Sequence, residues 1–219
     1  MYILVFIFVC CPNLTAFNET KAYGQIEEPE ATETIKKEKI KALALIPFTS
    51  KSGIAETKPE EEITTNERFL TVSLYDALIR ETGRIKITPL QESEAAYAQI
   101  KSEKEFSYYR DIAVSAGKKL NVDAVMTGVI SEYREREGSE LGVESPASVA
   151  FSVQVLDAED GTILWETYFT ETQKSLLENL FEIDKFFKRG GKWITADELA
   201  KEGARKAASE FNQYLLTEN

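Results

Sequence analysis

One stretch limits the possible architectures more than any other. Val122-Asp-Ala-Val-Met-Thr-Gly-Val-Ile130 is almost continuously apolar. A strand of that kind is buried on both faces, so it belongs inside a sheet with layers on either side. Ile40 to Phe48 is mostly apolar and reads as a first strand, its ladder ended by Pro47, which has no N–H to donate. Thr64-x-x-Glu67 is a capping box. Leu70, Leu74, Ala77 and Leu78 follow on one helical face, and Gly83 is placed to cap the far end. Arg84 to Thr88 alternates as a short strand before Pro89. From about Gln91 the chain is helical again, in one piece or two, with Ala113, Ala116 and Leu120 as a second core stripe.

Beyond the central run, Ser131 to Gly138 is polar and carries the strand towards solvent. Val149, Phe151, Val153 and Val155 alternate with smaller or polar residues, as a strand buried on one face does. Asp160-Gly161 makes a tight turn, and Thr162 to Phe169 returns as the partner strand. Thr195-x-x-Glu198 opens a last helix, whose Ala200, Ala204, Ala207, Phe211, Tyr214 and Leu215 face the core. The order β-α-β-α-β-β-β-α predicts an α/β fold. Its mixed sheet has about five strands and an antiparallel C-terminal meander, with helices packed on it.

The N-terminus is of another kind. An apolar run follows Met1 and ends in Cys10 and Cys11. It is about ten residues, roughly half of what a transmembrane helix needs, and suits the apolar part of a secretory signal. No Lys or Arg precedes it; the first is Lys21. That departure from the usual signal fits a start upstream of Met1. Residues from about Phe17 to Lys39 are rich in Glu, Thr and Lys and lack the apolar surface to fold, so they read as a tether. Apolar run, cysteine, polar tether and folded domain is the layout of a bacterial lipoprotein. Cys11, the cysteine with a small neighbour before it, is the first candidate for lipidation and Cys10 the second. A plainly cleaved signal and an unprocessed start are the other readings. The chain thus divides into a signal segment (1–11), a tether (12–39) and a single domain (40–219).

Composition excludes several chemistries. The chain has 219 residues, no histidine and two cysteines, both in the N-terminal segment. Ser-His-Asp and Cys-His catalysis and His-ligated metals are therefore absent, and the domain holds no disulfide. Neither cofactor nor metal is expected. The net charge of -11 disfavours nucleic acid and anionic lipid headgroups, which an acidic surface repels.

Asp157 to Gly161 resembles a fragment of a calcium loop. With Gly161 at the loop's sixth place, however, Leu156 and Ala158 fall where ligands belong, so a hairpin turn is expected. Asp123, just before the central strand, reads as a turn-orienting residue. Gly190-Gly191 lacks the strand-Gly-helix context of a phosphate loop and reads as a helix stop. The polar stretch Ser50 to Glu62 is a long loop. Between Leu176 and Trp193 one helical face carries Leu176, Leu180, Ile183 and Phe187, and a second carries Leu177 and Phe181. One stripe suffices for packing on a sheet. The surplus either covers the sheet edge or meets a partner, which makes Phe181, Phe186, Phe187 and Trp193 candidate protein-binding residues. Lys188, Arg189 and Lys192 form a basic rim beside them.

Three stretches resemble one lipoprotein superfamily. These are the opening strand ending in Pro47-Phe48, the run Leu120 to Ile130 with its Asp123-Ala124, and the hairpin Leu156-Asp-Ala-Glu-Asp-Gly-Thr-Ile-Leu-Trp165. The superfamily includes the curli secretion channel lipoprotein (CsgG), lipoprotein activators of penicillin-binding proteins and the amino-terminal domain of TolB. The resemblance covers roughly Ile40 to Phe169. It implies an envelope protein facing the periplasm that works by binding other proteins, with no catalytic residues to carry over. Beyond the Val149 to Phe169 meander, which the core requires, the chain shows none of the long amphipathic hairpins with which the curli channel builds its barrel. The expected role is protein-protein interaction in envelope assembly or secretion, through envelope partners or self-association, from an outer-membrane lipid anchor. The alternatives are a subunit of an oligomeric export channel and a carboxylate-dependent cell-wall hydrolase.

Overall fold

Asp123 shows how the sheet begins. Its Oδ2 accepts from the backbone N–H of Lys41 (2.9 Å) and Ala42 (2.8 Å), and its own N–H donates to the Ala42 carbonyl. This fixes the start of the central strand beside the start of the first, the orienting role expected of it. The computed structural model describes residues 40–50, 64–103, 108–138, 143–172 and 194–217. Their elements are β1 (Ala42–Leu45), β2 (Thr49–Ser50), α1 (Thr65–Glu81), β3 (Lys86–Ile87), α2 (Leu90–Glu103) and α3 (Tyr109–Leu120). β4 (Ala124–Arg134), β5 (Glu137–Gly138), β6 (Val143–Ser145), β7 (Ser148–Asp157), β8 (Ile163–Thr172) and α4 (Ala196–Leu216) follow. The fold is α/β, with one mixed sheet in the order β3-β1-β4-β7-β8. β1 pairs in parallel with both β3 and β4, whereas β4, β7 and β8 run antiparallel.

The first strand ends just before Pro47, as expected, but pairing along β4 resumes beyond it. Leu45 lies opposite Met126 and Thr49 opposite Val129, so four steps on one strand meet three on the other. The extra residue falls where proline cannot donate, and pairing resumes as β2. Of the strand expected over Ile40 to Phe48 only Ala42–Leu45 forms, and the second piece lies beyond it, at Thr49–Ser50 along the same side of β4.

Strand alternation distributes the core to two faces. Leu43, Leu45, Met126, Phe151, Val153 and Val155 meet Leu70, Leu74 and Leu78 of α1 and Ala200, Ala204 and Phe211 of α4. Ala44, Ile46, Val125 and Leu156 meet Tyr97, Ile100, Ile112, Ala113 and Ala116 of α2 and α3. The central run is therefore buried on both sides, as expected. Both capping boxes form, Thr64 with Glu67 and Thr195 with Glu198. The expected glycine cap at Gly83 does not. Thr82 ends α1 instead, its hydroxyl and N–H both donating to the Leu78 carbonyl, and Gly83 has no positive φ. The left-handed cap lies at Asn121 (φ 53), which closes α3. Among the described residues no helix is long and apolar enough to cross a membrane.

Candidate interaction surface

The β7–β8 hairpin turns through Gly161 (φ 74), and Asp157 Oδ1 accepts from the N–H groups of Glu159 and Asp160. Arg110 of α3 holds the turn by donating to the Gly161 carbonyl. The calcium-like fragment is a hairpin turn. A register shift beside Val155 then leaves Leu164 as an extra residue on β8. One face of β8 packs on α4. Leu164 and Phe169 are buried, Trp165 lies 5.3 Å from the Phe211 ring, and Thr167 donates to Glu210.

Among the described residues no helix covers the other face of the β7–β8 hairpin. Helices α2 and α3 cover β1 and β4, and Leu156 is the β7 residue in their core. Ala150, Ser152 and Gln154 of β7 are consequently half-buried, and Glu166, Tyr168 and Thr170 of β8 are exposed, Tyr168 at 65 %. Glu166 organises this face. Its Oε2 accepts from Gln154 Nε2 at 3.1 Å and from the Tyr168 hydroxyl at 3.2 Å. That hydrogen bond and the nearby carboxylate charge hold the Tyr168 proton above the ordinary tyrosine range. Among the described residues no strand lies along the outer side of β8.

The carboxyl end of β4 gathers acidic residues, and two of them, Glu67 and Glu135, fasten backbone. Glu67 accepts from the N–H groups of Ser50 and Thr64, tying β2 to the start of α1. Glu135 accepts from the N–H of Ala196 at the start of α4, and Tyr133 donates to Asp197 beside it. Burial first, then this bond to Asp197, pushes the Tyr133 proton far above its ordinary range. Glu132 pairs with Arg134 at 3.4 Å. Ser50, Thr64, Glu67, Ser131, Glu132 and Tyr133 line a shallow depression of about 380 Å³ here.

Cys10 and Cys11, and likewise Phe181, Phe186, Phe187 and Trp193, lie outside the described residues. The described chain stops at Thr172, at the end of β8, and resumes at Ile194, buried in the α1–α4 core. The Glu166–Tyr168–Gln154 group was not singled out in the sequence. Alternation places those residues opposite Trp165 and Phe169, but strand order, which leaves β8 at the edge, is a long-range property.

No family model matches the sequence. No curated protein matches it. Solved structures do. The PelC dodecamer from Paraburkholderia phytofirmans aligns at 14 % identity over 78 % of this chain and 87 % of that one, with a TM-score of 0.45. Lipoprotein GNA1162 from Neisseria meningitidis aligns at 15 % identity over 68 % and 98 %, with a TM-score of 0.41. The LpoB C-terminal domain from Salmonella enterica aligns at 16 % identity over 61 % and 84 %, with a TM-score of 0.38.

Proposed function

We propose that this is a bacterial envelope lipoprotein whose α/β domain binds other proteins and catalyses no reaction. On this reading it is held at the outer membrane through Cys11, faces the periplasm, and serves envelope assembly or secretion. The observation that carries the binding role is β8. It is ten residues long and lies at the sheet edge among the described residues; Glu166, Glu171 and the bulge at Leu164 mark it, but it carries no Lys or Pro. Natural edges of that length are usually blunted by such residues or covered, because their free N–H and C=O groups recruit another strand. The exposed Tyr168 on the adjoining face is the residue type that anchors interfaces. A partner segment adding to β8 would satisfy its edge and cover that face.

The test is site-specific photocrosslinking in intact cells. A photoreactive residue at Tyr168 should yield a discrete adduct, and one at the exposed Lys118 of α3 should not. Tyr168→Lys should abolish the association while leaving the melting temperature unchanged, since the side chain makes no core contact. An adduct with a second copy of the chain would make the protein a subunit of an oligomer. Equal labelling from both positions, or an association untouched by Tyr168→Lys, would remove β8 as the binding surface.

A further inference from the structure

Helices α1 and α4 lie side by side on one face of the sheet. Between their outer flanks runs an open groove of about 460 Å³, lined by Ser73, Asp76, Ala77, Arg80, Lys201 and Arg205. Ala77 is buried and Ser73 half-buried, so short side chains form the floor and charged ones the walls. Three of the four charges are positive on a chain whose net charge is -11. Lys201 lies 5.3 Å over the Phe69 ring, and Arg205 Nε donates to the Lys201 carbonyl. The ion pairs among the described residues join Arg68 to Glu94, Arg134 to Glu132 and Lys206 to Glu210; Arg80, Lys201 and Arg205 enter none of them.

The groove lies close to where the tether joins the domain. Ile40 is buried in the core beneath α1 and α4. Arg80 is in the last turn of α1, which leads directly to Lys86, the partner of Ala42 in the sheet. The tether carries Glu27, Glu28, Glu30 and Glu33 shortly before Ile40. An extended chain covers about 3.3–3.6 Å per residue, so the seven residues from Glu33 to Ile40 reach roughly 24 Å. That matches the length of α1, roughly 25 Å at 1.5 Å per residue.

From this charge match and reach we infer that the acidic run Ile26–Glu33 of the same chain docks in the groove, its carboxylates against Arg80, Lys201 and Arg205. Exposed ion pairs are individually weak and salt-screened. Covalent attachment raises the effective concentration of the run to the millimolar range, which weak pairs can use. Docking would shorten the leash between Cys11 and the domain, and salt or a competing acidic partner would release it. This holds whether or not Cys11 is lipidated.

The experiment uses the full chain with Cys10→Ser and Cys11→Ser and a spin label at Ala31→Cys. At low salt the amide signals of Ser73 to Arg80 and Lys201 to Arg205 should lose most of their intensity, and they should recover in about 0.5 M salt, where the Debye length is a few ångströms. Arg80→Glu with Arg205→Glu should abolish the broadening. So should Glu27→Lys, Glu28→Lys and Glu30→Lys, which lie outside the domain and leave its folding untouched. Groove signals that stay sharp, or broadening that survives both charge reversals, would overturn the inference. So would equal broadening when the labelled chain is mixed with an isotope-labelled, unmodified one, because the tether of a second copy would then be the occupant.

Discussion

At Gly203 a Cβ would stand 2.6 Å from the Phe169 ring and 2.8 Å from the Phe151 ring. No real Cβ packs that close, so α4 can lie on the sheet here only because one side chain is missing. The two rings are 5.2 Å apart at their centroids and are held between β7, β8 and the helix, so neither can swing aside. Gly83 is the opposite case, with nothing within 4 Å of an added Cβ and no positive φ. Gly203→Ala should therefore destabilise the domain by about 1–3 kcal/mol through overpacking. Gly83→Ala should be neutral or stabilising by about 0.4–1 kcal/mol, because it restricts the unfolded chain. Denaturant unfolding of the two variants checks this, and equal destabilisation would refute the close-contact account. Ala200, Ala204 and Ala207 are legible as the buried stripe from their spacing alone, whereas the place of Gly203 under two phenylalanines from other elements is not written in the helix. Gly161 is legible because a tight turn is a local demand on the backbone.

At the scale of elements, the starts of α1 and α4 were the most legible features, since a capping box is decided within four residues. Thr195 accepts from the Glu198 N–H at 3.2 Å, and Glu198 reaches back to the Thr195 N–H at 2.9 Å. Thr195→Ala should cost about 1 kcal/mol, and Thr195→Ser should restore most of it. Thermal melts of the pair test this, and an Ala variant as stable as the Ser variant would show that Glu135, which also accepts at the start of α4, suffices alone. The strands were legible in part. Near-continuous apolarity identified β4 as central, and alternation identified the buried face of β7. What escaped was pairwise. β2 resumes after Pro47 because Val129 and Ile130 lie alongside to receive it. The face around Tyr168 is left without a helix among the described residues because α2 and α3 settle over β1 and β4. Neither fact is written in the segment that shows it.

For the whole molecule the governing proposal is the anchor, and it rests on the thiol of one residue. Lipidation contributes about 0.8 kcal/mol per buried methylene, so one acyl chain binds a membrane only marginally and two or more hold it firmly. A serine hydroxyl in place of the thiol forms no thioether, so Cys11→Ser should move the protein from the membrane pellet to the soluble fraction. Cys10→Ser should leave it in the pellet. Wild type should incorporate labelled fatty acid and resist high-salt washing, as an acidic chain of net charge -11 held by electrostatics to an anionic surface would not. Release by Cys10→Ser alone would move the lipid to that residue. A Cys11→Ser variant that still sediments, with no labelled fatty acid in wild type, would remove the anchor and, with it, the envelope role proposed for the domain. The β8 edge and the basic groove would then need partners in another compartment.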